Sequence, residues 1–500
     1  MWFLVILMTS VTLHPVLCVS INTCPKKCVC DDANSVQCFR IQSIPTGISK
    51  DLRKLNLGYT HIKELKGRDL SGMTELEEVI ISSCGVEVVE VNAFRAQGAL
   101  RSLDLQKNKL RQIPRGLPQR LEMLRVGHNR ITGLQESVFE GLRKLRLLDL
   151  QNNQITNLRS NTLSALVKLE FLHLDGNKIE TVQGALRLSQ LNLLSLGNNK
   201  ITSFPSAFFT PLQSLVTLRL PGNLLSRVPH DLPNALSYLN LDRNQIRALR
   251  NREMGQLRKL TSLSVSFNRL VSVDGGLHLP NLTVLELPGN HLRTLPSRLS
   301  PNLERLDCRQ NSIHEVTFQH LSGMKLLKHL FLENNTIQKF EANALRNNVQ
   351  LTNLALEQNF LSSIPDGLPE SLVRLDLKGN HIVAILEHEL RSLKHLQVLN
   401  LRRNKLSSLP QITQDLLPRL RTIYLDENPW NCSCELLGVK RTLLARRVEI
   451  PNELCTESVS VPEDSWRAYL MAQHRCEEYL KEIEYQVEQT DAEEYYDYDS

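Results

Sequence analysis

Residues 148–155 read LDLQNNQI. Two leucines flank an aspartate, so the period-2 geometry of a strand sends Leu148 and Leu150 one way and Asp149 the other. An asparagine, Asn153, and an aliphatic residue, Ile155, follow. The phrase returns as LHLDGNKI at 172–179, LSLGNNKI at 194–201, LRLPGNLL at 218–225 and LNLDRNQI at 239–246. Self-similarity at a fixed period marks an array of stacked units, each too small to bury its own apolar face.

Aligned on L-x-x-L-x-L-x-x-N-x-L, the first leucine falls at Leu52, Leu76, Leu100 and fourteen further positions as far as Leu420, 21 to 24 residues apart. These seventeen copies follow the leucine-rich repeat pattern. The fold class it predicts is α/β, a leucine-rich-repeat solenoid shaped as a horseshoe, with a parallel concave sheet and disulfide-capped ends. Each strand buries its leucines between neighbours, and seventeen strands make an arc roughly 80 Å long. The asparagine sits where the chain turns, and its amide can satisfy backbone groups otherwise buried and unpaired. Longer repeats, such as VNAFRAQGALRSL and ESVFEGLRKLRLL, leave room for a helical turn on the outer face. Shorter ones carry proline, as in QIPRGLPQRL and SIPDGLPESL, which suits an extended back.

The chain has 500 residues, too many for one ordinary core and consistent with an array. Residues 1–20, MWFLVILMTSVTLHPVLCVS, read as a secretory signal peptide, although no Lys or Arg precedes the apolar run. No later stretch offers the ~18 consecutive apolar residues of a membrane helix. The acidic end DAEEYYDYDS does not fit a GPI signal. The expectation is a protein secreted to the extracellular space or matrix, without membrane insertion. Of its 11 cysteines, Cys18 lies in the signal, four cluster at Cys24–Cys38 and four follow Asn431, at Cys432, Cys434, Cys455 and Cys476. In a secreted chain such clusters read as disulfides rather than zinc ligands. Cys84 occupies a ladder-asparagine slot and Cys308 a third-leucine slot, so both are expected to be buried free thiols.

CPKKCVCDDANSVQC directly precedes the first repeat, and NPWNCSCELLGVKRTLL begins at the last ladder residue, Asn428. These resemble the cysteine-rich caps of extracellular leucine-rich-repeat proteins. The sequence alone leaves three pairings open in each cluster; the resemblance implies Cys24–Cys30, Cys28–Cys38, Cys432–Cys455 and Cys434–Cys476. Together with the proline-marked short repeats, the N-terminal spacing resembles the small leucine-rich proteoglycan family. The chain departs from many members in its repeat number and in the C-x-C type of its C-terminal cap, so their collagen-binding residues cannot be carried over by position. The organisation expected is a signal at 1–20, an N-terminal cap at 21–51, repeats over 52–427, a C-terminal cap at 428–476 and an acidic, disordered tail at 477–500. The resemblance implies binding of collagens and of TGF-β family growth factors, with dampening of TGF-β signalling.

The concave face is the expected binding surface. Aromatics beside Arg and Asp are typical interface anchors, and Arg305, Asp307 and Phe331 are expected to share one patch. The tail 477–500 carries net −9, which leaves +15 on the rest of a chain whose total is +6. Such a body can attract sulfated glycosaminoglycans; its densest basic run is VKRTLLARRV, with Lys440, Arg441, Arg446 and Arg447. Tyr495, Tyr496 and Tyr498 lie among acids and are sulfotyrosine candidates. Sequons stand at Asn281, Asn334 and Asn431, the last crowded by Cys432. No catalytic motif, metal motif or phosphate loop is present, so neither an enzyme nor a cofactor is expected, and nucleic acid is not an expected partner. A second reading is a soluble adhesion or recognition ligand for a cell-surface receptor.

Overall fold

The computed structural model describes residues 24–451 apart from 32, 33, 276, 278, 413, 414 and 432. Each repeat places one three-residue strand in a single sheet, from Lys54–Asn56 to Thr422–Tyr424. Two further strands, Cys28–Asp31 and Ser35–Cys38, bring that sheet to nineteen. They form an antiparallel hairpin, and its second strand pairs parallel with the first repeat, Val36 opposite Leu55. Beyond it every neighbour is parallel and in register, with Leu148 opposite Leu172, Leu172 opposite Leu194 and Leu194 opposite Leu218. A slip of one residue would turn the leucines out and the aspartates in, so the consensus itself sets the register.

The repeat consensus is the core. Leu145, Leu148, Leu150 and Ile155 are all fully buried, and so are their counterparts in adjoining turns. Burying a leucine contributes ~1.5–3 kcal/mol. The asparagines form a ladder beside them. Asn153 Nδ2 donates to the carbonyls of Val126 and Leu150, both at 3.0 Å, and its Oδ1 accepts from Ile131 N at 3.0 Å. Asn177 repeats the pattern one turn on, with Leu150 O, Leu174 O and Ile155 N. One side chain thus makes three hydrogen bonds and ties two neighbouring turns together. The residue just before each ladder position has positive φ in all seventeen repeats, and only Gly176, Gly222, Gly289 and Gly379 are glycine. Asn152 and Asn198 suit that conformation; Tyr59 and Phe267 do not.

The ladder begins without asparagine. Thr60 Oγ1 and Cys84 Sγ both donate to Leu57 O, at 2.8 and 2.9 Å, and Cys84 N–H reaches Asn108 Oδ1 at 3.1 Å. Cys84 and Cys308 are buried and unbridged. Burial pushes the Cys308 thiol far above its ordinary range, with Asp307 adding to the effect.

The backs differ as their sequences do. Long repeats carry single helical turns at Glu136–Phe139, Asn251–Met254, Phe318–Leu321 and Glu387–Leu390, and a 3-10 turn at Ser160–Leu163. Both ends are covered. Disulfides join Cys24 to Cys30 and Cys28 to Cys38. At the far end a helix spans Cys434–Ala445, started by Ser433, whose Oγ accepts from Leu436 N at 3.4 Å. Residues after it close the last sheet edge: Ile423 N donates to Glu449 O and Glu449 N to Arg421 O, at 2.9 and 2.7 Å. That occupies an edge otherwise open to another chain. Cys434 is disulfide-bonded. Cys432, Cys455 and Cys476 lie outside the described residues, and so does the tail with Tyr495, Tyr496 and Tyr498.

Candidate binding site on the concave face

Register alone brings the expected patch together. The strand Arg305–Asp307 pairs with His329–Phe331, and Asp307 lies opposite Phe331. The Arg305 guanidinium carbon sits 4.3 Å from the centre of the Phe331 ring. Its Nη2 is 3.4 Å from Asp307 Oδ2, and its Nε is 3.6 Å from Glu286 Oε1. Arg309 Nη2 reaches the same Asp307 oxygen at 2.9 Å.

Asp307 lies under this patch rather than on it. Its side chain is 1% exposed, against 31% for Arg305 and 44% for Arg309. The third residue of each strand triplet falls near the middle of the concave sheet, where longer neighbours close over it. Asp307 therefore holds two guanidinium groups, and Arg305, Arg309 and Phe331 are what a partner meets. The sequence reading left out Arg309; its signal was the outward position that directly follows the third inward residue of the repeat.

Carboxyls continue the face. In the same row Phe331, Ala355 and Asp376 follow in register, with the smallest side chain in the middle. Asp376 is buried and held by Arg374 Nη2 at 3.3 Å and Asn400 Nδ2 at 3.0 Å. Burial pushes Glu333 up to about 7, helped by the Asp307 charge. Burial also pushes Glu357 up to about 7, reinforced by its hydrogen bond with Asp376. Glu333 Oε2 is buried with no hydrogen-bond partner among the described residues. Burial lowers His329, and Arg305 and Lys328 lower it further. Near neutral pH this stretch therefore holds protons that a cationic group of a partner can displace.

The other half of the face is different. A hollow of about 570 Å³ is lined by Arg125, Asp149, His173, Asp175, Ser195 and Arg219, among others. Its carboxylates are already engaged: Asp175 accepts from Ser195 Oγ at 2.6 Å and Gly197 N at 2.9 Å, and Asp149 from Gln151 N at 3.0 Å.

The remaining candidates separate in space. Asn281 and Asn334 are exposed, before a strand and in a positive-φ turn respectively; Asn431 is exposed beside the C-terminal helix. The basic run 439–448 does not form a free patch. Arg446 Nη1 donates to Ile412 O at 2.8 Å and its Nη2 to Leu417 O, so this arginine fastens the helix to the last repeat. Burial lowers its pKa. Among the described residues no helix is long and apolar enough to cross a membrane.

Comparison with known proteins agrees with this architecture. The family described as leucine rich repeat matches residues 119–179, 301–361 and 370–429. Nephrocan of Mus musculus is 44% identical over 92% of this chain and 90% of its own length. Podocan of Mus musculus is 32% identical over 73% of this chain, which spans 54% of podocan. Among solved structures, a leucine-rich-repeat protein of Leptospira interrogans superposes with a TM-score of 0.63 at 24% identity, over 80% of this chain and 95% of that one, which shows the fold. The octameric complex of Latrophilin 3, Unc5D and the leucine-rich repeats of FLRT2 contains a chain matched at 28% identity and a TM-score of 0.52, over 55% of this chain and 86% of that one. On its repeat sequence, its capped solenoid and its likeness to nephrocan along nearly the whole of both chains, this protein belongs to the small leucine-rich proteoglycan family.

Proposed function

We propose that the chain is a secreted extracellular-matrix binding protein that captures protein ligands on its concave face, without catalysis and without a cofactor. The observation that carries this reading is the Arg305–Phe331 pair at 4.3 Å, backed by a buried Asp307. Aromatic and arginine side chains held rigid at the centre of a concave surface are the usual anchors of a protein interface. The hydrogen bonds that fix them lower the entropy lost on binding. The disulfides Cys24–Cys30 and Cys28–Cys38 suit an oxidising, extracellular setting. The family resemblance supplies the ligand class: TGF-β family growth factors and collagens, with negative modulation of TGF-β signalling.

A second reading is a soluble ligand of a cell-surface receptor. It is favoured by the likeness to the FLRT2 repeats, which occur in a complex with Latrophilin 3 and Unc5D.

The test is binding of the secreted chain to immobilised TGF-β and collagens, beside Arg305→Ala and Phe331→Ala. Loss of an anchor and its cation–π contact weakens binding about tenfold or more. Unchanged affinity in both variants for every ligand that binds removes the concave patch from the reading. Silence on all these surfaces, with saturable binding to cells that heparin does not compete, transfers the function to the second reading.

A further inference from the structure

A different face carries an independent signal. Past each strand the chain turns through the ladder asparagine onto one flank, so the residues just before, one after and three after that asparagine form three columns. Neighbouring turns stack about 4.8 Å apart, so each column is a closely spaced row. In some turns this flank balances its own charge. Lys109 reaches Glu87 at 3.1 Å and Lys200 reaches Glu180 at 2.9 Å, each across one turn between two of these columns. Near the C-terminal end Arg403 reaches Glu427 at 2.6 Å.

Three consecutive turns carry cations without acids, as do the turns of Lys107, Arg111 and Arg130 nearer the N-terminus. The columns of the three hold Arg243 and Arg247, then Phe267 and Arg269, then His291 and Arg293, with no acid among them. All six are exposed. None of the four arginines makes an ion pair among the described residues. Like charges so close repel one another unless a counter-charge from outside arrives.

The backbone adds a second observation. Phe267 occupies the positive-φ column, at +53°, where a bulky side chain is strained and where three asparagines (Asn152, Asn198 and Asn334) and four glycines serve in other turns. Its ring fills the space above Gly289, where an added Cβ would come within 2.4 Å of it. The Arg243 guanidinium carbon lies 5.3 Å from the centre of that ring. The strained aromatic therefore holds one arginine in place, at the middle of the uncompensated group.

We propose that this flank of the turns bearing Arg243, Arg269 and Arg293 is a binding site for a sulfated polysaccharide. Arginine presents a planar, weakly hydrated fork that matches a sulfate group with paired hydrogen bonds. A rigid row of such forks presents several contacts at once to a linear polyanion. The site is separate from the concave face, so the chain can hold a protein ligand and a polysaccharide together.

Heparin is the probe, bound to the full secreted chain across a range of salt. Arg243→Ala, Arg269→Ala and Arg293→Ala combined should weaken binding about tenfold at physiological salt and lower the salt slope by about two. A control with the same change in net charge, Arg143→Ala, Lys144→Ala and Lys168→Ala, should remain near wild type. Phe267→Asn, which the column accepts, should lose about threefold in affinity without loss of stability. Equal weakening in the control overturns the site in favour of diffuse net charge. Failure of the wild type to bind heparin overturns it too. If binding appears only after Asp491, Glu493, Glu494, Asp497 and Asp499 are neutralised, the occupant is the chain's own tail and not a polysaccharide. The substituted residues within 24–451 are exposed, and circular dichroism checks that each variant is folded.

Discussion

The ladder asparagine shows why single residues recur here. Asn153 satisfies two carbonyls and one amide that the parallel stack leaves unpaired in a dry interior, and no apolar residue can do so. Cys84 takes the same slot at the N-terminal end by donating its one proton to Leu57 O. The concave carboxyls show the reverse: residues kept where burial does not favour their charge. Folded Glu333 and Glu357 titrate near 7, above the ordinary carboxyl value. Between the unfolded and the folded pKa the native state binds more protons, so these two groups make stability fall as pH rises through that window. Their contribution is intact below about pH 4.5 and lost by about pH 7. Glu333→Gln and Glu357→Gln should therefore raise the melting temperature at pH 8 and leave it nearly unchanged at pH 4, as thermal unfolding would show. A wild-type pH slope retained in both variants would deny the carboxyls this role.

Elements in this protein are small and gain stability from what they lean on. Three-residue strands and single helical turns are too short to persist alone. Their hydrogen bonds run between turns: Leu150 N donates to His173 O and Asn152 N to Asp175 O. The two end elements need specific fasteners because each has one neighbour. The N-terminal hairpin has two disulfides. The helix Cys434–Ala445 has Arg446, which reads in sequence as part of a basic patch and proves to be a structural tie. Arg446→Ala leaves the carbonyls of Ile412 and Leu417 without this partner and should cost ~1.5–3 kcal/mol. Hydrogen exchange should speed up across 434–450 and leave the central strands unchanged; equal protection in variant and wild type would exclude the tie.

Across the whole molecule contacts are local along the stack, so stability is close to a sum of repeat and interface terms. Damage should stay near where it is made. Leu263 is fully buried midway along the sheet. Leu263→Ala should cost ~3–5 kcal/mol through lost transfer energy and a residual cavity. Exchange protection should fall first in the adjoining strands Tyr238–Asn240 and Val284–Glu286, before Leu147–Asp149. A uniform loss along the chain would mean the array unfolds as one unit. The same linear arrangement separates the two proposed surfaces, the concave patch and the arginine flank, onto different faces of the same stack.

The sequence by itself determined the architecture. A period of 21 to 24 residues with leucine at fixed offsets admits one packing in which every copy buries its apolar side against the next. It also placed Arg305, Asp307 and Phe331 in one patch, because register follows from the repeat. Tertiary structure decided which of them a partner can touch. Asp307 and Asp376 share the strand position of half-buried residues such as Phe331 and of exposed Arg219 in other turns, yet neighbouring side chains cover them. Tertiary structure also decided where charge is left over. Arginines are spread along the whole sequence, and only the stacking of turns shows that Lys109 and Lys200 meet a carboxylate while Arg243, Arg247, Arg269 and Arg293 do not. The reason is physical: burial and pairing depend on residues one turn away, about 20 positions distant in the chain, whereas the leucine period can be read within each turn.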